Sequence, residues 1–122
     1  MRIDKVYIEE FKNLIDFKID LDKSKMHTVL LGQNAAGKSN LLEALVIIFR
    51  DLDLEDQTTF NYEIEYQCKN NFIKVQGGPD ISGKAKFFLG TKKKDAIEYS
   101  SKMIAKVEIK RNKDEYLPKY VF

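Results

Sequence analysis

The stretch His27-Thr28-Val29-Leu30-Leu31-Gly32-Gln33-Asn34-Ala35-Ala36-Gly37-Lys38-Ser39-Asn40-Leu41-Leu42-Glu43-Ala44-Leu45 decides the fold class. His27 to Leu31 is a short, β-leaning apolar run, the pattern of a strand buried on both faces. Beyond the loop, Leu41, Leu42, Ala44, Leu45, Ile48 and Phe49 recur at spacings of three and four. That period predicts an amphipathic helix from about Lys38 to Arg50. Arg50 then falls in its last turn, where a cation suits the helix dipole. Between strand and helix, Gly32 to Ser39 reads G-x-x-x-x-G-K-S, the spelling of a phosphate-binding loop.

The chemistry accounts for that spelling. A polyphosphate needs several donors aimed at one point. Gly32 lets the chain turn sharply out of the strand, and Gly37 lets backbone approach phosphate without a Cβ between them. Amides from Asn34 through Ala35, Ala36, Gly37, Lys38 and Ser39 to Asn40 can then face the anion at the positive end of the helix. Lys38 would reach the β- and γ-phosphates, and the Ser39 hydroxyl would hold Mg²⁺. The cofactors expected from the spelling are therefore a nucleoside polyphosphate and Mg²⁺; that the nucleotide is ATP is what the resemblance given below implies. The competing reading is a Gly-rich strand-to-helix turn that binds nothing, and the strand before and helix after weigh against it.

Working outward, Ile3, Val6, Ile8 and Phe11 sit loosely among charges, while Ile15, Phe17, Ile19 and Leu21 alternate with polar residues. With Lys12-Asn13 as the turn, these two runs predict an N-terminal hairpin with one face on a core. Asp51 to Thr59 reads as a connector. Phe60 to Cys68 alternates strictly, Lys69-Asn70-Asn71 is a turn, and Phe72 to Gln76 returns as a strand. Ala85 to Leu89 predicts another strand, Thr91 to Lys94 a basic tip, and Asp95 to Ser101 a short helical or irregular piece. Ala105, Val107 and Ile109 suggest a further strand, and Tyr116 to Phe122 is apolar.

At 122 residues the chain reads as one domain, and its 43% hydrophobic and 33% charged residues are those of a globular protein. A net charge of +2 gives no general polycation argument for nucleic acid, so such a role needs a local patch. One cysteine, Cys68, and one histidine, His27, rule out an internal disulfide framework and a cysteine- or histidine-rich metal site. The charged start and the absence of a long apolar run argue for a cytoplasmic protein with no membrane partner.

The segment Gly32 to Leu45 resembles the nucleotide loop of ABC-type ATPase heads of the SMC, RecF and OLD kind, which favour Gly-x-Asn-Gly-x-Gly-Lys-Ser-Asn-Leu followed by an acidic residue and Ala. Ile8-Glu9-Glu10-Phe11-Lys12-Asn13 resembles their opening strand, and Tyr116 to Phe122 is similar to a strand of bacterial AAA ATPases of restriction and anti-phage systems. Ala35 and Gln33 depart from the Gly and Pro usual there. The resemblance implies an α/β fold: the N-terminal lobe of a P-loop NTPase, rich in antiparallel strands, with one main P-loop helix. Residues 1–50 would supply the hairpin, P-loop strand and helix, and 51–122 a β-rich insert. It also implies a site of Gly32, Asn34, Ala35, Ala36, Gly37, Lys38, Ser39 and Asn40, with Lys12 near the nucleotide and Ser39 as metal ligand.

These families hydrolyse ATP with a later strand of four apolar residues ending in Asp-Glu. The only Asp-Glu here is Asp114-Glu115, preceded by Lys110-Arg111-Asn112-Lys113, which is no buried strand. No catalytic residue is therefore expected within this chain, and isolated hydrolysis should be negligible. The length then reads as a cut point in a longer ATPase of DNA processing, restriction or defence. Its partners would be a C-terminal lobe packed near Tyr120-Val121-Phe122, a second copy closing on ATP, and DNA. A self-contained, non-catalytic nucleotide-binding scaffold or sensor is the alternative. A small P-loop kinase is disfavoured by the presence of only Arg2, Arg50 and Arg111. Asn112-Lys113-Asp114 lacks the Asp two places after Lys that guanine recognition needs. Phe11 reads best as core and Gln76 as a loop residue. Lys84, Lys86, Lys92, Lys93 and Lys94 are read either as a solvated run or as a strip for nucleic-acid phosphate.

Overall fold

The computed structural model describes residues 2–20 and 35–118, and of residues 35–38 the backbone alone. Strands β1 (Arg2–Phe11) and β2 (Leu14–Asp20) form the expected hairpin about Lys12-Asn13. Helix α1 (Ala35–Leu54) follows. Strands β3 (Tyr62–Cys68), β4 (Asn71–Gly77), β5 (Lys86–Lys93) and β6 (Ala96–Tyr99) come next. Two short helices, α2 (Lys106–Arg111) and α3 (Lys113–Tyr116), complete the described chain. The six strands make one antiparallel sheet in the order β2-β1-β3-β4-β5-β6.

The core lies between α1 and one face of this sheet. Strict alternation in β3 puts Tyr62, Ile64, Tyr66 and Cys68 on the covered face, and Ile73 and Val75 of β4 join them. The β3–β4 turn takes only Lys69-Asn70, with Lys69 at φ 54°, the left-handed backbone that a two-residue hairpin turn needs. Leu41, Ala44, Leu45, Ile48, Phe49 and Leu52 form the buried stripe of α1. Phe49 meets Tyr66 edge to face, with centroids 5.2 Å apart.

The uneven spacing of Ile3, Val6 and Ile8 has a structural cause. The register between β1 and β3 shifts between Ile3 and Lys5, leaving Asp4 as an extra residue. This bulge turns both Ile3 and Val6 toward the core although they are three apart. In β2 the expected face is only partly kept. Phe17 and Ile19 pack against the core, but Leu14 is buried and Ile15 is 69% exposed, because Asp16 at φ 48° breaks the alternation.

Several segments differ from expectation. The helix begins at Ala35 and ends at Leu54, so Arg50 is not in its last turn, which holds no basic residue. Leu52 extends the apolar stripe into what reads as a connector. The helix closes on Glu55 at φ 60°, and the Lys113 Nζ donates to the Asp53 carbonyl at 2.7 Å, doing the C-terminal task expected of Arg50. Residues 96–99 form β6 because a two-residue turn, with Lys94 at φ 49°, returns the chain onto β5. The strand expected at Ala105 to Ile109 is instead helix α2. Ile104 is buried and Ile109 packs on the core, while Val107 between them is 60% exposed. Tyr116 lies in α3, and its carbonyl accepts from the buried Tyr66 hydroxyl at 2.5 Å. The expected strand at His27 to Leu31 and the apolar end at Tyr120-Val121-Phe122 lie outside the described residues.

Candidate functional site

The hairpin turn and the start of α1 meet. Lys12 takes φ 54°, and its Nζ lies 2.7 Å from Glu43 Oε2 and 5.6 Å from the centroid of the Phe11 ring. Asn40 Nδ2 donates to Asn13 Oδ1 at 2.5 Å. Asn40 and Glu43 are three apart on α1, so they share the helix face that meets the turn. The two contacts fix the tip of the β1–β2 hairpin against the opening turns of the helix. Lys12 and Glu43 are each about half exposed (51% and 46% of the side chain), so the pair positions more than it stabilises.

The helix start is suited to an anion. The first three amides of α1, those of Ala35, Ala36 and Gly37, have no acceptor within the helix. No acidic residue occupies the first turn. The first carboxylate along α1 is Glu43, and Lys12 balances its charge. Buried Leu41, Ala44 and Leu45 hold the helix to the sheet, which makes its amino end a fixed positive pole. A triphosphate with Mg²⁺ fits the chemistry of this segment: orphan amides at the helix start, a lysine at position 38 in the sequence, and an exposed Ser39.

Of the residues expected to form the site, Gly32 and Asn34 lie outside the described residues. Ala35, Ala36, Gly37 and Lys38 form the first turn, Ser39 is exposed, and Asn40 is half-buried against Asn13. Lys12 stands beside α1 on Glu43. Asn13 and Glu43 were not anticipated as part of this arrangement. Both lie within the segments that carry the family resemblance, and their further sequence signal is position: Asn13 in the turn, and Glu43 one helical turn beyond Ser39.

Of the other candidates, Phe11 and Asp114-Glu115 fall where the bland reading put them, and Gln76 does not. Phe11 packs on Phe60, centroids 4.8 Å apart. Gln76 is the next-to-last residue of β4, on the sheet face away from α1, donating to Glu63 Oε1 at 2.7 Å. It belongs to the strand rather than to a loop. Asp114 and Glu115 are exposed on α3, not at the end of a buried strand. Among the described residues, no group of three or more His, Cys, Asp or Glu converges as a metal site, and no helix is long and apolar enough to cross a membrane.

Over 48 residues the chain is 40% identical to the DNA replication and repair protein RecF of Synechocystis sp.. That alignment covers 39% of this chain and 12% of RecF, so the chain matches only a small part of that relative. No solved structure matches. The family model described as AAA ATPase domain matches residues 1–121. The chain therefore belongs to the AAA ATPase domain family.

Proposed function

We propose that this chain binds Mg-ATP through Gly32 to Ser39 and the first turn of α1, as part of an SMC/RecF-like ATPase head. The observation that carries this is the phosphate-loop spelling set at the start of a 20-residue helix with a carboxylate-free first turn. The amides of residues 35–37 would cradle the phosphates. Lys38 would neutralise charge on the β- and γ-phosphoryl groups, and Ser39 would complete the Mg²⁺ shell. Lys12, poised on Glu43, would lie at the rim of the site. Asp114-Glu115, exposed on a short helix, is no candidate for activating water, so this chain's part is to bind and orient nucleotide.

The similarity to the DNA replication and repair protein RecF supports a setting in DNA processing; a role in restriction or anti-phage defence, and a place in the cytoplasm, are further parts of the proposal. Two copies closing on ATP, together with a further ATPase lobe, would complete the catalytic unit. The metal role is tested by titrating ATP with and without Mg²⁺. Wild type should bind more tightly with Mg²⁺, and Ser39→Ala should lose most of that gain while keeping metal-free binding. Equal Mg²⁺ dependence in the two proteins would remove Ser39 from the site.

A further inference from the structure

The sheet face turned away from α1 is divided by charge. On β1 and β3 it carries Glu9, Glu63 and Glu65 with Lys5, following the alternation that buries Val6, Ile8, Ile64 and Tyr66 on the other side. On β4, β5 and β6 the outward positions hold Lys74, Lys86 and Lys92, and no carboxylate. Aromatic rings interleave with these lysines. Lys74 pairs with Phe88 across the strands, and its Nζ lies 5.2 Å from the Phe88 centroid and 5.4 Å from that of Tyr99. Tyr99 lies over Gly90, where a Cβ would come 2.7 Å from its Cε1. Gly90 is thus what lets that ring lie flat across the strand.

Among the described residues Lys86, Lys92 and Lys94 have no carboxylate within 4.0 Å, whereas Lys84 and Lys93 are paired with Glu55 and Glu98. Lys86, Lys92 and Lys94 run along β5 from its first residue to the turn that follows it. Lys86 and Lys92 share the outward face with Phe88 and Tyr99, and Lys74, opposite Glu65, lies over both rings; cations and rings on one antiparallel face complement a strand that offers phosphates and unpaired bases. A duplex keeps its base faces stacked inside, so the rings would have nothing to take.

We infer that the outer face of β4–β5–β6 is a binding surface for single-stranded nucleic acid. Lys86, Lys92 and Lys94 follow the phosphates, while Phe88 and Tyr99 take bases. This gives the DNA-processing part of the reading above a surface, and it uses no residue of the phosphate loop.

The test is fluorescence anisotropy of the folded chain with labelled single-stranded DNA, single-stranded RNA and duplex DNA of equal length. Both single strands should bind more tightly than duplex, and a preference between them identifies the natural strand. Lys92→Glu and Lys86→Glu together should weaken single-strand binding about tenfold or more and flatten its salt dependence. Phe88→Leu should weaken it about fivefold or more, the low end for one stacked base. Lys18→Glu, an exposed reversal on the far edge strand β2, should change affinity less than about twofold. Lys38→Ala should keep oligonucleotide binding while losing ATP, so that failure of either reading is seen separately. Duplex binding as tight as single-strand binding, or equal weakening by Lys18→Glu, overturns the inference. Lys92→Glu is on an exposed hairpin and leaves the fold intact, so its unchanged affinity would overturn it too.

Discussion

Replacing Tyr66 with Phe removes one oxygen from the middle of the protein. The side chain is fully buried, and its hydroxyl donates to the Tyr116 carbonyl, tying the centre of the sheet to α3. Phe keeps the ring and its edge-to-face contact with Phe49, so no large cavity opens. The loss is the hydrogen bond together with a carbonyl stranded away from water, about 1–3 kcal/mol. For a chain of this size 1 kcal/mol shifts the melting temperature by about 4 °C, so the expected drop is roughly 4–12 °C. The assay is thermal unfolding followed by far-ultraviolet circular dichroism, with urea unfolding to check that the m-value is unchanged. Tyr116→Phe is the comparison, since that hydroxyl bonds Glu108 near the surface at 2.9 Å and its loss should cost less. A Tyr66→Phe protein melting within about 1 °C of wild type would refute the view that this bond fastens the C-terminal segment to the core.

Three further outcomes follow from the same geometry. Burial raises the phenol pKa values of Tyr62, Tyr66 and Tyr99. The unfolded chain loses these protons first, near pH 10, so stability is full below about pH 10 and falls above it. Each such tyrosine adds about 1.4 kcal/mol per pH unit to that fall, and alkaline melts of wild type and Tyr66→Phe should differ in slope accordingly. Gly78→Ala should destabilise by about 2 kcal/mol or more in urea unfolding, because its φ is 123° and a Cβ would come 2.6 Å from the Phe60 carbonyl oxygen. A double-mutant cycle on Lys12 and Glu43 should give a stability coupling below about 1 kcal/mol that shrinks in high salt, as both side chains are half exposed.

Regular burial is what made parts of this fold legible. The alternation from Tyr62 to Cys68 and the three-four stripe of α1 each repeat long enough to exclude the other period, and both appear where the pattern puts them. Short segments were misjudged. Five residues around Val107 fit a strand on paper, but Ile104 and Ile109 meet the core from a turn and a helix. The edge beside β5 belongs to Ala96–Tyr99, whose pairing depends on Lys94 adopting a left-handed backbone that lysine does not advertise. The bulge at Asp4 shows in the sequence only as irregular spacing.

The site divides in the same way. Its phosphate loop is spelled out because each position answers a local need of backbone or charge. The attachment of the hairpin to α1 is not, since Asn13–Asn40 and Lys12–Glu43 join polar residues 27 and 31 positions apart, and no periodicity records such pairs. On the function proposed above, the bound state of this site depends first on Lys38. Calorimetric titration of Mg-ATP into wild type and Lys38→Ala, each shown to be folded, is therefore the most direct test. Saturable binding by wild type and a loss of about tenfold or more in Lys38→Ala are predicted, as expected when one charge-assisted contact is removed. No binding by folded wild type, or equal affinity in the two proteins, would contradict nucleotide binding through Gly32 to Ser39.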